Sequence, residues 1–240
     1  MDYYTRLQRH LLDTIEQHQW QNEPINVTVK TLTPEEAIGN PEHDDYPLVK
    51  GRERMMEARF KGSLGQAFTD MYGVYGGTLI DIARMELKNN YRRAVFLATL
   101  NAVTRHQGIA EKTIHCKDES PPICAKELAS HIRESFGKPA IAMVGLQPRM
   151  VQALASDFEL RVVDMDEDNI GSEKFGVRIG GPEETVDNIS WCDLALVTGT
   201  VFTNATLQDL LEQKDTIFYG VTVSGAAKIL NLNRFCPLGM

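Results

Sequence analysis

The chain has 240 residues, of which 42% are hydrophobic and 24% charged, and its formal net charge is −8. This length and composition suit one large or two small globular units with packed cores. The 25 Lys and Arg residues are scattered along an acidic chain, so we expect no nucleic-acid partner, which would need a concentrated basic face. The sequence has no signal-peptide pattern and no uncharged apolar run long enough to span a bilayer, which predicts a cytoplasmic protein without a membrane partner.

The first part of the chain predicts strands followed by helices, which is an α+β pattern. Apolar residues at helical or alternating spacing, interrupted by Gly and Pro, define the elements. In chain order these are a helix over residues 3–18, a strand around residues 25–29, a loop over residues 33–47, an extended stretch over residues 55–60 that returns as a hairpin, a helix opened by Gly77-Thr78 and a helix over about residues 92–106.

From Pro139 onward, predicted strands and helices alternate. The strands lie at residues 140–145, 160–164, 194–198 and 216–221, and they are separated by helices at residues 150–156 and 205–211 and by a Gly-rich passage over residues 177–181. This alternation indicates right-handed crossovers and therefore a parallel sheet. The sequence thus predicts an α/β fold in which a Rossmann-like parallel-sheet domain follows a smaller α+β domain.

The segment over residues 193–211 is predicted to form a buried strand, a turn broken at Gly199 and a new helix. In open α/β sheets, the carboxyl ends of the strands and the first turns of the following helices form the ligand crevice. Short polar side chains crowd this position, namely Thr198, Thr200, Thr203, Asn204 and Thr206. We therefore expect ligand contacts here, although Thr203 or Asn204 taken singly would also suit a helix N-cap.

The first turn of the Rossmann-like part contains a single glycine, Gly145, where a dinucleotide fingerprint needs three. Asp164 ends the second strand, where an acid can bind a ribose hydroxyl. An Asp at a strand end is also ordinary protein structure, so a nucleotide near Gly145 and Asp164 stays an alternative. The chain has no Gly-rich phosphate loop ending in Lys-Ser or Lys-Thr, no His-Glu-x-x-His and no nucleophile elbow, so we expect no ATP hydrolysis, zinc-protease or serine-hydrolase activity.

Two features upstream are further candidates for the ligand site. Gly76 and Gly77 would let the backbone approach a ligand closely, or would form a flexible turn before Thr78 as a helix N-cap. Asn101 lies in an otherwise apolar helix, where its amide must find hydrogen-bond partners. Those partners could belong to a ligand in a cleft or to the protein core.

The four cysteines are expected to be free thiols, because the chain carries no predicted leader. Thiolates with an imidazole suit a soft transition metal, so His115, Cys116 and Cys236 are candidate metal ligands. Ligation would require accessible thiols of lowered pKa at Cys116 and Cys236. The spacing of Cys116 and Cys124 is unlike a close Cys-x-x-Cys pair, and Cys124 falls on an apolar helix face. We expect Cys124 and Cys192 to be core residues.

Several short Gly- and Asn-based motifs carry a family resemblance. Besides the segment over residues 193–211, they are GQAFTD over residues 65–70, YGGTL over residues 75–79, LNA over residues 100–102 and NRFCP over residues 233–237. With these motifs the chain resembles, from about Lys50 onward, a prokaryotic family described as heavy-metal chelation proteins, whose members are mostly of unknown function. The resemblance implies a domain like the small N-terminal domain of enolase, a Rossmann-like domain and an active-site cleft between them.

Residues and resemblance together predict one domain over residues 1–112 and a second over residues 113–240. The expected function is the binding of a metal ion, a small polar ligand or both in the cleft. The expected ligand-binding residues are Gly76, Gly77, Thr78, Asn101, Gly145, Asp164, Thr198, Gly199, Thr200 and Asn204. Two alternatives stay open, namely an enzyme acting on a small metabolite or cofactor with Lys50 or Asp70 as acid or base, and a non-catalytic sensing module. The sequence also leaves a homo-oligomer open.

Overall fold

The computed structural model of the chain describes residues 2–20, 26–43, 45–50, 52–207 and 215–240. Its helices there are α1 (Tyr3–Gln17), α2 (Pro34–Ile38), α3 (Pro47–Lys50), α4 (Leu79–Ala83), α5 (Asn90–His106), α6 (Ser120–Phe136), α7 (Pro148–Ala155), α8 (Thr185–Trp191), α9 (Val201–Asn204) and α10 (Ser224–Leu230). Its strands are β1 (Asn26–Thr31), β2 (Arg54–Phe60), β3 (Ser63–Thr69), β4 (Tyr75–Thr78), β5 (Ile141–Val144), β6 (Leu160–Val163), β7 (Glu173–Lys174), β8 (Val177–Gly180), β9 (Leu194–Thr198), β10 (Asp215–Tyr219) and β11 (Arg234–Phe235). No helix within these ranges is long and apolar enough to cross a membrane.

The N-terminal strands form a four-stranded antiparallel sheet in the order β3-β2-β1-β4. The β2–β3 hairpin has its open end where Arg54 pairs with Thr69. Helix α5 packs against β2 and β3 on one side and against α9 and α10 on the other, so its residues 94–104 are all buried. Gly65 permits this close packing, because a Cβ at that position would lie 2.3 Å from the backbone N of Ala102.

The C-terminal strands form a seven-stranded sheet in the order β11-β10-β9-β5-β6-β8-β7. Neighbouring strands are parallel except in the β7–β8 pair. The chain runs outward from β5 through β6 to β8 and then returns to β9 on the other side of β5. The strand order therefore reverses between β5 and β9, and open α/β sheets bind ligands at such a point. The α/β fold with a mostly parallel sheet, predicted from the alternation of elements, is confirmed.

A shared core joins the two sheets. One buried cluster contains Leu7 of α1, Phe60 of β2 and Phe96 of α5 together with Phe202 of α9 and Phe218 of β10. A second cluster packs α6 and α7 onto the other face of the parallel sheet. Since large aromatic side chains dominate the energetics of a core, the first cluster ties the N-terminal and C-terminal halves of the chain together. The division into domains at residue 112 stays a prediction.

In the N-terminal half, one local prediction is wrong and one of two open alternatives is excluded. The predicted loop over residues 33–47 contains α2, because Thr33 and Glu36 form a capping box that starts a helix. Gly76 and Gly77 lie in β4 and pair with β1, so they do not form a turn. The capping box is a local signal that stands among prolines typical of a loop. The conformation of Gly76 and Gly77 is instead decided by pairing with β1, which is distant in sequence.

The helix predicted over residues 205–211 is also displaced in the structure. Helix α9 ends at Asn204, and Ala205 adopts a left-handed conformation with φ of 59°, which stops the helix. Thr203 lies inside this helix, where its hydroxyl donates to the Thr200 carbonyl at 2.8 Å, so it is not an N-cap. Residues 208–211 of the predicted helix, and Ile25 of the first predicted strand, lie outside the described part of the chain.

Candidate functional site

The carboxyl edge of the parallel sheet meets the open end of the β2–β3 hairpin, and a cavity of about 550 Å³ lies between them. Glu53 directly precedes β2 and Asp70 directly follows β3, so the pairing of Arg54 with Thr69 brings both acids to this end of the hairpin. From the other side, the cavity is lined where β5, β6, β9 and β10 end. Its volume falls in the range of small-molecule sites.

The segment over residues 38–48 forms a further side of the cavity. Its lining residues are Ile38, Pro41, Tyr46 and Leu48. An ion pair between Asp45 and Arg149 fixes the segment to α7. The backbone N of Asp118 donates to the carbonyl of Ile38 at 2.9 Å and holds the beginning of the segment. The cavity is therefore bounded by both sheets and by this covering segment.

Carboxylates dominate the polar lining of the cavity. They are Glu53, Asp70, Asp164, Asp166, Glu167 and Asp168. Arg52 is the one Lys or Arg among the described lining residues. Burial, followed by the negative charges of Asp164 and its acidic neighbours, raises the pKa of Glu53 to about 7. Glu53 therefore changes its charge near neutral pH, and no group in the described part of the chain donates a hydrogen bond to its carboxylate.

Asp164 organises two loops at the sheet edge. Its Oδ2 accepts a hydrogen bond from the backbone N of Leu146 at 2.6 Å, and its Oδ1 accepts one from the backbone N of Asp166 at 2.8 Å. The carboxylate thus ties the turn after β5 to the loop after β6. Because both oxygens already have backbone donors, the arrangement gives little support to Asp164 as the ribose ligand of a nucleotide.

Gly145 is required by packing at the end of β5. It has φ of 92°, and a Cβ there would lie 2.6 Å from Cγ2 of Thr198. The hydroxyl of Tyr219 donates to the Gly145 carbonyl at 2.7 Å, and burial raises the pKa of that phenol well above its usual value. The contacts of this glycine within the protein explain it without a pyrophosphate, and its role in ligand binding stays a prediction.

Thr198, Gly199 and Thr200 line the cavity at the end of β9, the position expected for them. The backbone N and the hydroxyl of Thr200 both donate to the Thr198 hydroxyl, at 3.3 and 3.1 Å. This turn therefore presents hydroxyl groups at the point where the strand order reverses. Their part in binding a ligand stays a prediction.

Asp70 and Asn204 are linked through a residue that sequence reasoning missed. Nδ2 of Asn90 donates to Oδ1 of Asp70 at 2.7 Å and to Oδ1 of Asn204 at 3.3 Å. Arg93 in turn donates to Oδ1 of Asn90 and to the carbonyl of Thr203. The network fixes the orientation of Asp70 and Asn204 in the cavity lining. Lys50, the other candidate acid or base, has a side chain that lies outside the described part of the structure.

Four of the candidate ligand residues do not line the cavity in the described structure. Gly76 and Gly77 pair with β1, and Thr78 caps α4 through its hydroxyl and the backbone N of Asp81. Asn101 is completely buried, and its amide is bonded to the backbone of β3, of the turn after β10 and of α10. The structure therefore gives all four residues partners within the protein.

The candidate metal ligands His115, Cys116 and Cys236 all line the cavity, as does Cys124. Burial, with a smaller effect of nearby Cys236, raises the pKa of Cys116 and that of Cys124 to about 12. The lowered pKa that metal ligation by Cys116 would require is therefore not found, and the role of these residues as metal ligands stays a prediction. Burial lowers the pKa of His115, whose Nδ1 lies 2.5 Å from the Cys116 carbonyl oxygen. Among the described residues, no three His, Cys, Asp or Glu side chains are placed to hold a metal ion.

Like Asn90, Glu53 and Tyr46 were not identified from the sequence as residues of the site. Glu53 stands in the charged run Arg52-Glu53-Arg54, which is typical of a solvated surface. Tyr46 stands in a polar stretch with three prolines and a Gly-Asn pair, and the pattern next to it is that of a loop. Neither residue carries a motif, so only the folded arrangement identifies them.

Two solved structures of proteins of unknown function share this fold. One, from Pyrococcus horikoshii, has a TM-score of 0.57 at 14% identity over 92% of this chain and 79% of its own. The other, from Desulfitobacterium hafniense DCB-2, has a TM-score of 0.51 at 14% identity over 74% of this chain and 72% of its own. Both are described as members of the DUF364 family. At this identity the likeness concerns the fold, and the enolase-like character of the N-terminal part stays a prediction.

The sequence comparisons concern the C-terminal half. None of the curated proteins compared matches the chain. A model of the DUF364 family, described as "Putative heavy-metal chelation", matches residues 128–233, which confirms the predicted family resemblance over this stretch.

Proposed function

We propose that the protein binds a small polar ligand in this cavity. In this proposal the cavity is the cleft between a domain over residues 1–112 and a domain over residues 113–240. The observation that carries the proposal is the position of the cavity at the carboxyl ends of β5, β6, β9 and β10, where the strand order reverses. Ligands of open α/β sheets bind in such a crevice. The hydroxyls of Thr198 and Thr200 and the amide of Asn204 are the proposed contacts on the sheet side.

The family description suggests a metal ion as the ligand. A site built on Cys116 and Cys124 fits poorly, because thiolates are the metal-binding form and these thiols have pKa values of about 12. The carboxylate of Glu53, which has no partner among the described residues, is a better oxygen donor for a cation. Since no coordinating group of three exists among the described side chains, we propose that a metal ion enters this cavity only with a chelating small molecule.

A second candidate function is acid–base catalysis on the bound ligand. Glu53 has a pKa of about 7, and proton transfer is most efficient when the pKa of the group lies near the working pH. Asp70 already accepts a hydrogen bond from Asn90, which makes Glu53 the better candidate for this role. Turnover of the ligand would separate an enzyme from a sensing module that binds the same molecule unchanged.

The test is native mass spectrometry of the protein purified without oxygen, with metal content measured on the same sample. Met165 lines the cavity and is 58% exposed, so its side chain is not part of the core. In Met165→Trp the larger indole should therefore occupy part of the cavity without destabilising the fold. Ile123 is 51% exposed and lies outside the described lining, so Ile123→Trp is the matched control. We expect a small molecule that is retained by the wild type and by Ile123→Trp and lost from Met165→Trp. Retention by all three proteins would contradict the proposal.

A further inference from the structure

In the described part of the chain, the surroundings of Glu53 are mostly acidic, with Arg52 as the one basic residue of the lining. Among the described residues, the charged groups that shift its pKa are Asp164, Asp70 and Asp166, and all three are acidic. No ion pair involving Glu53 exists among the described residues. Burying an ionised carboxylate without a counter-charge costs free energy, so a cation beside Glu53 would remove an unfavourable interaction and would be bound for that reason.

The other carboxylates of the cavity are less available than Glu53. Both oxygens of Asp164 accept hydrogen bonds from backbone N groups, those of Leu146 and Asp166. Asp70 accepts a hydrogen bond from Asn90. Oδ1 of Asp166 accepts from the backbone N of Asp168 at 3.1 Å, and Glu167 and Asp168 are exposed to water. Glu53 is therefore the partly buried carboxylate of the lining to whose two oxygens no described residue donates a hydrogen bond.

Another part of the lining is apolar and contains one unsatisfied polar group. Leu48 and Phe68 line the cavity and pack in the same hydrophobic cluster as Tyr46. The side chain of Tyr46 is only 6% exposed, and its hydroxyl has no hydrogen-bond partner among the described residues. Buried hydroxyls are normally hydrogen-bonded, so this one indicates a partner that comes from outside the protein.

We propose that the ligand is a small organic cation, with a protonated amine for Glu53, an apolar body for Leu48 and Phe68, and a hydrogen-bonding group for Tyr46. This inference rests on the proposed function, because it names the ligand class of the same cavity. An ammonium group suits the site because it donates hydrogen bonds directly to a carboxylate. A bare metal ion suits it less, since it would need several ligands at one point.

Tyramine is the probe, because it combines an ammonium group, an aromatic ring and a phenol hydroxyl. Three related molecules change one feature each: tyrosol carries a neutral hydroxyl in place of the amine, 3-(4-hydroxyphenyl)propanoate carries an anion there, and phenethylamine lacks the phenol hydroxyl. Isothermal titration calorimetry at mildly alkaline pH, where Glu53 is ionised, measures each affinity. We expect tyramine to bind about tenfold more tightly than tyrosol, as a charge-assisted hydrogen bond should provide. We expect the propanoate not to bind.

Two variants locate the contacts. Glu53→Gln should weaken tyramine binding by about tenfold and leave tyrosol binding unchanged, because only the charged hydrogen bond is lost. Tyr46→Phe should weaken tyramine binding and leave phenethylamine binding unchanged. Glu134→Gln and Tyr72→Phe are the controls, since both residues are exposed and outside the described lining, and neither change should affect any affinity.

Tighter binding of tyrosol or the propanoate than of tyramine would overturn the inference, as would tyramine binding that Glu53→Gln leaves unchanged. The cavity-filling Met165→Trp variant distinguishes this failure from a failure of the proposed function. Binding of the neutral or anionic molecule that Met165→Trp abolishes would overturn the cation and keep the cavity as a ligand site. Absence of any binding that responds to Met165→Trp would overturn both.

Discussion

Asp45 and Arg149 form an ion pair that joins the segment over residues 38–48 to α7, with Oδ2 2.6 Å from Nη2. The partners are unequally buried, because the side chain of Arg149 is 6% exposed and that of Asp45 is 28% exposed. Arg149 also donates to Oε1 of Gln152 at 2.8 Å and lies over the ring of Phe175. Because of this unequal burial, removing one partner should lower the free energy of unfolding more than removing the other.

Removing Asp45 should therefore destabilise the protein more than removing Arg149. Asp45→Ala leaves a buried guanidinium without its counter-charge, which should cost about 3 kcal/mol of unfolding free energy. Arg149→Met leaves a carboxylate on a side chain that is partly exposed, although its Oδ1 is buried, so we expect a smaller loss of about 1 kcal/mol. Urea unfolding measures both. In the exposed pair of Arg133 with Asp157, Asp157→Ala is the control, and equal losses for Asp45→Ala and Asp157→Ala would contradict this account.

Asn101→Leu is expected to destabilise the fold severely. Nδ2 of Asn101 donates to the carbonyls of Gln66 and Val221 at 2.9 and 3.0 Å, and its Oδ1 accepts from the backbone N of Gly225 at 2.7 Å. The substitution removes all three hydrogen bonds inside the core, and although the Val221 carbonyl keeps its bonds from Ser224, the backbone N of Gly225 loses Oδ1 as its acceptor. The total cost should be about 3 kcal/mol. Urea unfolding measures the loss. A change below about 1 kcal/mol with ligand binding abolished would return Asn101 to the ligand site.

Glu53→Gln should alter the pH dependence of stability in a defined direction. Burial raises the pKa of Glu53 from 4.5 to about 7, so in this window the folded state binds more protons than the unfolded state. The contribution of Glu53 is therefore fully present below pH 4.5 and is lost as the pH rises through about 7. Glutamine does not titrate, so the wild type should lose stability relative to Glu53→Gln as the pH rises.

Urea midpoints of both proteins across this pH window measure the effect. Burial lowers the pKa values of His115 and His10, so the histidines act in the opposite direction in an overlapping window. For that reason the measured quantity is the difference between the two proteins at each pH. A difference that stays constant, or that moves in favour of the wild type as the pH rises, would contradict the raised pKa of Glu53.

The carboxyl edge of the parallel sheet could be predicted from the sequence because its signals are local. The apolar run over residues 194–198 matches β9, and the hydroxyls of Thr198 and Thr200 follow it directly into the cavity. Asn101 was harder to interpret, since an amide in an apolar helix requires partners but does not say which ones. Its partners, Gln66 and Gly225, are distant in sequence and lie within the protein.

The second side of the cavity could not be predicted for a different reason. Glu53 reaches the cavity because β2 pairs with β3, and Tyr46 does so because Asp45 is held by Arg149 on a distant helix. Long-range contacts of this kind leave no periodicity in the sequence. The carboxyl edge of a parallel sheet can thus be predicted from the sequence, whereas the residues that line the opposite side of the cavity cannot.

Cys236 should be the first cysteine to react with iodoacetamide in the native protein. Cys116 and Cys124 are buried, and a pKa of about 12 lowers their thiolate fraction about a thousandfold relative to an ordinary thiol. Cys192 is also buried, as the sequence predicts, whereas Cys236 is half-buried. Mass spectrometry of labelled peptides measures the order, and the Cys236→Ser variant should be labelled only after unfolding in urea. Rapid labelling of Cys116 that cadmium blocks would contradict the protonated, buried state and would favour a thiolate metal site in this cavity.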